Sequence, residues 1–316
     1  MVLGSSCDML VILIAGGAVG KRRALSTAAI LAGKTSATAG GGEEQAHMKR
    51  GWLGLVLLLL MAATAIAQTP ASPIQNLVPE IIATHPHDSD AYTQGLLFYD
   101  GALYESTGSS GYPNSGYETT VRRVRIEDGA VLQQVAHGDD FFGEGLARLG
   151  DRLIQLSWTA GRATVYDRES LEITETIAYE GEGWGLCFDG RYLYMSDGSP
   201  YISLRDAEDF SLIIRSMVTY GGQPVQAGLL NELECVGDSL YANLWRMDFI
   251  AVLDKTDMRV TALIDASSLL TEEERAQLGV GEVLNGIAYR PETETFFITG
   301  KGWPKLFEVR FVPVEP

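Results

Sequence analysis

The sequence predicts an all-β fold built from repeated four-stranded units, and three observations support this. Short apolar runs alternate with Gly, Asp and Asn turns, and there is little helical periodicity. Five strand–turn–strand segments begin 40 to 54 residues apart, which is the size of a four-stranded propeller blade. A lone strand precedes the first unit, and the last unit lacks its fourth strand. We therefore predict a five-bladed β-propeller closed by an N-terminal strand that completes the last blade. An unclosed β-sandwich is the alternative.

The strands of each unit follow one another in a fixed order. The first strand–turn–strand segments share a glycine or acidic residue at their start, and they begin at Gly95, Gly145, Gly185, Glu232 and Gly286. The third strands begin at Thr119, Ala163, Tyr201, Phe249 and Lys305, and the fourth strands at Ala130, Leu171, Ser211 and Arg259. The fifth unit ends without a fourth strand, and the apolar segment from Leu77 to His85 can supply it. Closure of this kind removes the exposed edges of an open repeat.

One helix is predicted between the fourth and fifth units. Thr271 is followed by three glutamates, so Glu274 stands at the third helical position, which is the capping-box pattern. We expect this helix to lie on the outside of the repeat.

The N-terminal region reads as an export signal preceded by extra sequence. Met48 is followed by Lys49 and Arg50, then an apolar run, and then the small residues that precede Gln68, in the order of a secretory signal peptide. We interpret residues 1–47 as an upstream extension with a start assigned too early, 48–67 as a removed signal peptide, and 68–316 as a single propeller domain. A genuine long leader is the alternative. The predicted location is periplasmic or secreted, with no membrane attachment after cleavage.

The net charge limits the classes of partner, and the two cysteines bear on the redox compartment. From residue 68 onward the chain has 18 Lys and Arg against 38 Asp and Glu, and such an acidic surface excludes nucleic acid and anionic lipid as partners. We expect a monomer. Only Cys187 and Cys235 remain in this part. They either pair in an oxidising compartment or remain two buried free thiols.

The unusual polar and aromatic residues are predicted to meet at one end of the molecule. In each blade, the loop before the first strand and the loop after the second strand lie on the same face. Pockets are concave and apolar with a few converging polar groups. The residues that the sequence places at this mouth are Gln94, Glu105, Glu144, Trp158, Trp184, Asn231, Trp245, Asn285, Lys301 and Trp303.

The position of Glu105 near the end of a predicted strand allows two interpretations. As a strand residue it could be a solvated strand end or a partner for Arg122 or Arg123. Against aromatic walls, desolvation would raise its pKa and suit it to acid–base work.

The same segments resemble the plant-type glutaminyl-peptide cyclotransferases, a family shared by plants and bacteria. The likeness runs from about His85 to Phe311, and its loop from Ser109 onward departs from the family pattern. The matching phrases are YTQGL (92–96), YESTG (104–108), FGEGL (142–146), EGWGL (182–186), SDGS (196–199), NELE (231–234), ANLW (242–245), LNGIAY (284–289) and TGKGWPKLFEV (299–309).

The resemblance implies a five-bladed propeller that cyclises N-terminal glutamine of peptides or proteins to pyroglutamate, with loss of ammonia. By resemblance and position, Glu105 is the expected acid–base residue. Gln94, Asn285 and Lys301 are candidate donors to the developing oxyanion. The tryptophans, Glu144 and Asn231 are expected to bind the substrate.

No cofactor is expected for catalysis. The part from residue 68 onward has His85, His87 and His137 but no zinc-ligand pattern, so we predict metal-independent chemistry. A structural cation in the central channel is an open alternative, because carboxylate and carbonyl oxygens there are suitable ligands.

Two rival functions are carried forward. A glycoside hydrolase on the same scaffold would use several carboxylates, for which Glu105, Glu144, Asp197 and Glu232 are candidates. A non-catalytic binding propeller would repeat one site in each blade, whereas the predicted mouth residues differ from blade to blade.

Overall fold

The computed structural model describes residues 73–109, 117–138, 140–225 and 229–314. The predicted extension (1–47) and signal peptide (48–67) lie outside these residues. The described chain consists of β-strands with a single one-turn helix, which confirms the prediction of an all-β fold. No helix in the described ranges is long and apolar enough to cross a membrane.

Twelve of the strands form three four-stranded antiparallel sheets, each in simple chain order. The first sheet contains β2 (Thr93–Tyr99), β3 (Ala102–Thr107), β4 (Thr120–Val124) and β5 (Val131–Ala136). The second contains β6 (Gly143–Leu149), β7 (Arg152–Ser157), β8 (Arg162–Asp167) and β9 (Ile173–Ala178). The third contains β10 (Leu186–Phe188), β11 (Tyr192–Ser196), β12 (Tyr201–Asp206) and β13 (Leu212–Met217). These strands match the first three predicted units.

The remaining long strands form one eight-stranded sheet in which the first strand of the described chain lies between two groups. One group contains β16 (Leu230–Val236), β17 (Ser239–Leu244), β18 (Phe249–Asp254) and β19 (Val260–Asp265). The other contains β20 (Leu284–Arg290), β21 (Thr295–Gly300) and β22 (Lys305–Pro313), and β1 (Gln75–Pro86) lies between β22 and β19. Strand β1 is antiparallel to β22 from Leu77–Pro313 to Pro86–Lys305, and it pairs in parallel with β19 at its first residues.

Two small elements complete the described chain. Strands β14 (Thr219–Tyr220) and β15 (Gln223–Pro224) form a separate hairpin. Helix α1 (Glu272–Arg275) lies between β19 and β20, and the side chain of Thr271 accepts a hydrogen bond from Glu274 N at 3.2 Å. Both halves of the predicted capping box are present, and no residue of the helix is buried.

The first strand of every group lies inside the molecule. Strand β2 contacts β6, β6 contacts β10, β10 contacts β16, β16 contacts β20, and β20 contacts β2. A Cβ added to Gly145 would lie 2.4 Å from the backbone nitrogen of Leu186, and one added to Gly185 would lie 2.1 Å from the carbonyl oxygen of Asn231. No side chain fits where backbones approach this closely, and this explains the repeated glycine seen in the sequence.

A disulfide joins two of these inner strands. Cys187 of β10 and Cys235 of β16 are bonded with a Cα–Cα distance of 5.6 Å. Of the two alternatives for these residues, the structure shows the paired one. Cys187 belongs to a core cluster that packs the third sheet against β16–β19 and includes Ile202, Leu233 and Leu240, and Cys235 packs against this cluster.

Candidate active site

Four of the predicted polar residues lie near the starts of inner strands. Each is the second residue of its strand: Gln94 of β2, Glu144 of β6, Asn231 of β16 and Asn285 of β20. All four are buried. Gln94 Nε2 donates to Glu144 Oε1 at 3.2 Å, and Asn285 Nδ2 donates to Gln94 Oε1 at 3.3 Å. The inner-strand packing therefore brings together residues that are far apart in the sequence.

Glu144 is a buried carboxyl group with unused hydrogen-bonding capacity. Its Oε2 atom has no hydrogen-bond partner among the described residues. Burial raises the pKa of Glu144 well above its usual value; the nearby charge of Lys301 opposes this, and the charge of Glu182 adds to it. The shift is upward, which is the direction that acid–base catalysis by a carboxyl group requires.

Lys301 supplies the buried cation of the site. It follows β21, and its backbone nitrogen donates to Val283 O at 2.9 Å. The ammonium lies 5.0 Å from the centre of the Tyr92 ring. Burial lowers the pKa of Lys301 to about 8, although the charge of Glu144 acts in the opposite direction. Lys301 can therefore act as a donor that loses its proton at mildly alkaline pH.

Two buried amides also have unused capacity. The Oδ1 atoms of Asn231 and Asn285 have no hydrogen-bond partner in the described chain, while Asn285 Nδ2 donates to Thr93 O at 3.0 Å. An unsatisfied buried polar group costs about 1–3 kcal/mol, so several of them near the starts of the inner strands indicate a place that a polar ligand would fill.

Three tryptophans form one wall. Trp158 Nε1 and Trp184 Nε1 both donate to Glu182 Oε2, at 2.8 and 3.0 Å. The Trp184 and Trp245 rings meet edge to face with centroids 5.4 Å apart. Trp158 is 39% exposed, so the wall reaches the surface.

Trp303 lies elsewhere. It is 1% exposed and belongs to the core cluster that contains Leu284 and Phe307, and its ring packs against Gly300. The structure places it in the core, outside the wall formed by the other three tryptophans.

Glu105 differs from the prediction. It is buried, and it accepts hydrogen bonds from Thr93 Oγ1 at 2.6 Å and Arg122 Nε at 2.8 Å. His87 Nε2 lies 3.0 Å from its Oε1. Burial acts to raise the pKa of Glu105, but the charges of Arg122 and His87 outweigh it, and the pKa lies well below its usual value.

The prediction of a raised pKa for Glu105 is therefore wrong, and the alternative reading of Glu105 as a partner for Arg122 is confirmed. The physical reason is strand register. Glu105 of β3 lies directly opposite Arg122 of β4, and directly opposite residues project to the same face of a sheet.

His87 completes a buried network around Glu105. Its side chain is 4% exposed, and its Nδ1 atom lies 2.6 Å from the carbonyl oxygen of Trp303. Both ring nitrogens face acceptors, an arrangement that stabilises the doubly protonated imidazole. Burial acts to lower the pKa of His87, but the charge of Glu105 and its hydrogen bond raise it. Arg122 also pairs with Asp88 Oδ2 at 2.7 Å, so the network balances two cations with two anions.

Comparison with known proteins shows which family shares these features. Residues 54–311 match the family model for glutamine cyclotransferase. A stretch of 268 residues is 34% identical to a glutaminyl-peptide cyclotransferase of Arabidopsis thaliana, which covers 81% of this chain and 80% of that protein. This chain belongs to the glutamine cyclotransferase family.

A solved structure of a related protein supports the same assignment. The crystal structure of Myxococcus xanthus glutaminyl cyclase is similar with a TM-score of 0.70 and 37% sequence identity. The match covers 77% of this chain and all of that chain. The resemblance found in the sequence motifs is thus confirmed.

The structure does not favour the alternative function of a glycoside hydrolase, because two of the four candidate carboxylates already form an ion pair or hydrogen bonds within the protein. Asp197 pairs with Arg215 at 2.5 Å. Glu232 accepts hydrogen bonds from the backbone nitrogens of Leu96 at 3.3 Å and Ile287 at 2.9 Å.

Within the described ranges, no group of three or more His, Cys, Asp or Glu side chains is placed to hold a metal ion.

Sequence reasoning missed Glu182 as a site residue of this cyclotransferase-family chain. The signal was present, because Glu182 opens the EGWGL motif that carries Trp184. What the sequence did not show is that the Trp158 ring, from the preceding sheet, lies beside the same carboxylate.

Proposed function

We propose that this protein is a glutaminyl-peptide cyclotransferase, which converts the N-terminal glutamine of peptides or proteins to pyroglutamate with release of ammonia. One observation carries the proposal. Glu144 is a buried carboxyl group with a raised pKa and a free oxygen, next to the cationic Lys301 and to the tryptophan wall. Family membership supports the same conclusion.

Glu144 is the proposed acid–base residue. In its ionised form it takes a proton from the α-amine as the amine nitrogen attacks the γ-carboxamide carbon, so that a C–N bond forms and the γ-oxygen takes the electron pair. Glu144 then returns the proton to the amide nitrogen. The original C–N bond breaks, the carbonyl reforms, and ammonia leaves. A carboxyl group whose pKa is raised above its usual value suits both steps, because its carboxylate accepts a proton more readily than an ordinary carboxylate would and then holds it for return to the leaving nitrogen.

Lys301, Gln94 and Asn285 are the proposed donors to the oxyanion. Lys301 contributes a positive charge in a buried site, where such a charge stabilises an oxyanion more than it would in water. Asn231 is proposed to bind the substrate amide or amine. Since the chain itself provides the acid, the base and the cation, we propose that no metal ion takes part.

The tryptophan wall is the proposed binding surface for the glutamine side chain. Trp158, Trp184 and Trp245 present apolar faces against which the side chain would fold back onto its own amine. Holding the two reacting atoms together in this way removes much of the entropic cost of ring closure.

Glu105 is proposed as a positioning residue. It accepts a hydrogen bond from Thr93 Oγ1, and Thr93 O accepts one from Asn285 Nδ2 at 3.0 Å. Thr93 is also the neighbour of Gln94. The charged network around Glu105 therefore fixes the strand start that presents two of the proposed donors.

The proposed architecture is a single five-bladed propeller domain. Support comes from the contacts of the five inner strands, which run from β2 through β6, β10, β16 and β20 back to β2. Strand β1 beside β22 supplies a fourth strand to the last group.

Export is proposed for the same protein. The Cys187–Cys235 disulfide supports it, because disulfides persist in oxidising compartments. Intact-mass analysis of the exported chain would locate its first residue, and a chain that retains residues 48–67 would contradict signal cleavage.

The test of function measures ammonia release from a glutamine-initiated dipeptide amide. We expect release by the wild type, and a loss of roughly 10²-fold or more in kcat for Glu144→Gln, as for removal of a general acid–base group. Glu175→Gln, on exposed β9, is the matched control and should behave as wild type. EDTA treatment should leave the rate unchanged.

Other outcomes would change the conclusion. Full activity of Glu144→Gln would remove Glu144 from the chemistry. Loss of activity with EDTA, restored by a metal ion, would contradict metal independence. No ammonia from the folded wild type would overturn the proposed function.

A further inference from the structure

Glu182 holds a fixed position at the edge of the tryptophan wall. It lies on the loop between β9 and β10, and one carboxylate oxygen accepts the indole N–H groups of both Trp158 and Trp184. The loop itself is held by Gly183 N, which donates to Trp158 O at 3.1 Å, and by Trp184 N, which donates to Ser196 O at 3.0 Å. These hydrogen bonds hold the Glu182 carboxylate in one orientation although it is exposed to solvent.

No side chain of the described ranges neutralises the charge of Glu182. Two other carboxylates on loops of the same face form ion pairs, Asp140 with Arg162 at 2.6 Å and Asp197 with Arg215 at 2.5 Å. No Lys, Arg or His of the described ranges forms an ion pair with Glu182, and its two indole partners are neutral.

Glu182 also lies on the outer side of the proposed reaction centre. It is exposed whereas Glu144 is buried, yet the two carboxylates are close enough for their charges to interact. If the substrate glutamine reaches Glu144 along the tryptophans, the residues that follow the glutamine must leave past Glu182.

From this placement we infer that Glu182 is a specificity-determining residue, which favours peptides with a Lys or Arg side chain directly after the N-terminal glutamine. The inference rests on the proposed function and names its substrate class more closely. An exposed ion pair contributes modestly, so the expected preference for a basic second residue is about 2- to 5-fold in kcat/KM.

The test compares three substrates that differ only in the second residue: glutaminyl-lysine amide, glutaminyl-norleucine amide and glutaminyl-glutamate amide. Lysine and norleucine have similar apolar stems and differ in charge, so their kcat/KM ratio isolates the electrostatic contribution. We expect the wild type to prefer lysine, then norleucine, then glutamate, and the lysine-to-norleucine ratio to fall with added salt because exposed charges are screened.

Two variants with the same change in net charge separate Glu182 from the general acidity of the surface. Glu182→Gln keeps an oxygen acceptor for the indoles and removes the charge, and its lysine-to-norleucine ratio should fall to about 1. Glu180→Gln, an exposed residue of the same loop, should keep the wild-type ratio.

Each result decides the matter. A wild-type ratio of 1, or a ratio that survives in Glu182→Gln, overturns the inference while leaving the proposed function intact. A preference lost equally in both variants assigns the effect to overall charge and also overturns it. Ammonia from none of the three peptides would instead reject the proposed function. The salt dependence of the wild type gives an independent reading that needs no variant to fold.

Discussion

Glu105 and Glu144 are both buried carboxyl groups, and their neighbours decide how each ionises. Glu105 has Arg122 and His87 within ion-pairing distance, and these charges hold its pKa low. Glu144 receives a hydrogen bond from Gln94, and Lys301 only partly offsets its loss of solvation. The first carboxylate is suited to holding structure and the second to exchanging a proton.

Glu105→Gln is expected to act mainly on stability. The substitution leaves Arg122 buried beside a neutral partner, and breaking a buried ion pair in this way costs about 3–5 kcal/mol. Urea denaturation of the variant would measure the lost free energy of unfolding. Glu144→Gln should cost much less, because Glu144 has no directly bonded cation among the described residues. A Glu105→Gln protein with wild-type stability and no activity would favour the acid–base role that the sequence suggested for Glu105.

The pH dependence of kcat/KM should report Lys301 of the free enzyme. The proposed mechanism needs its ammonium form, and since the pKa of Lys301 is lowered to about 8, kcat/KM should fall as the pH rises through that value. Lys301→Arg keeps its charge throughout this range, so the alkaline fall should move to higher pH, whatever the residual rate. The α-amine of the substrate titrates identically with both enzymes. An alkaline limb that stays in place in the variant would remove Lys301 as its origin.

The sequence could predict most members of the site but not which carboxylate reacts. Gln94, Glu144, Asn231, Asn285 and Lys301 were found because the repeat places the loops around first and second strands on one face. The pairing of Glu105 with Arg122 depends on the register of β3 and β4 across a loop that carries no clear pattern. The strand register, rather than the composition of the sequence, determines which of the two glutamates has the raised pKa.

At the scale of elements, the repeated unit explains why the prediction of strands succeeded. In the three four-stranded sheets the first strand is buried and the last is more exposed, as in β6 and β9, so hydrophobic patterning shows both. The pairing of Cys187 with Cys235 could not be predicted in the same way. It depends on how closely β10 approaches β16, and the two strands come from different groups.

The disulfide should stabilise the contact between these groups. It closes a loop with a sequence separation of 48 residues, for which the chain-entropy estimate is about 4 kcal/mol. We expect reduction of the wild type to lower the free energy of unfolding by roughly 2–4 kcal/mol, as measured by urea denaturation. A double variant, Cys187→Ala with Cys235→Ala, should start from the lower value and should not respond to reductant. An unchanged wild type after complete reduction would contradict this.

At the scale of the whole molecule, the contacts of the inner strands create the site. No single group contains it, because Gln94, Glu144, Asn231 and Asn285 each come from a different first strand. Sequence reasoning anticipated this arrangement from the number and spacing of the units. It could not give the distances between their side chains, since these depend on how closely glycine backbones approach one another.

The place of β1 has a consequence for how the chain is made. Leu77 pairs with Pro313, so β1 is synthesised 236 residues before the strand with which it forms its antiparallel pairing. Before β22 is synthesised, the available partner of β1 is β19, with which it forms only a short parallel pairing. Contacts between such distant parts of a chain slow folding. The eight-stranded sheet can therefore be completed only after β22 has been synthesised, and a chain without β22 would expose an unpaired edge of β1 to other chains.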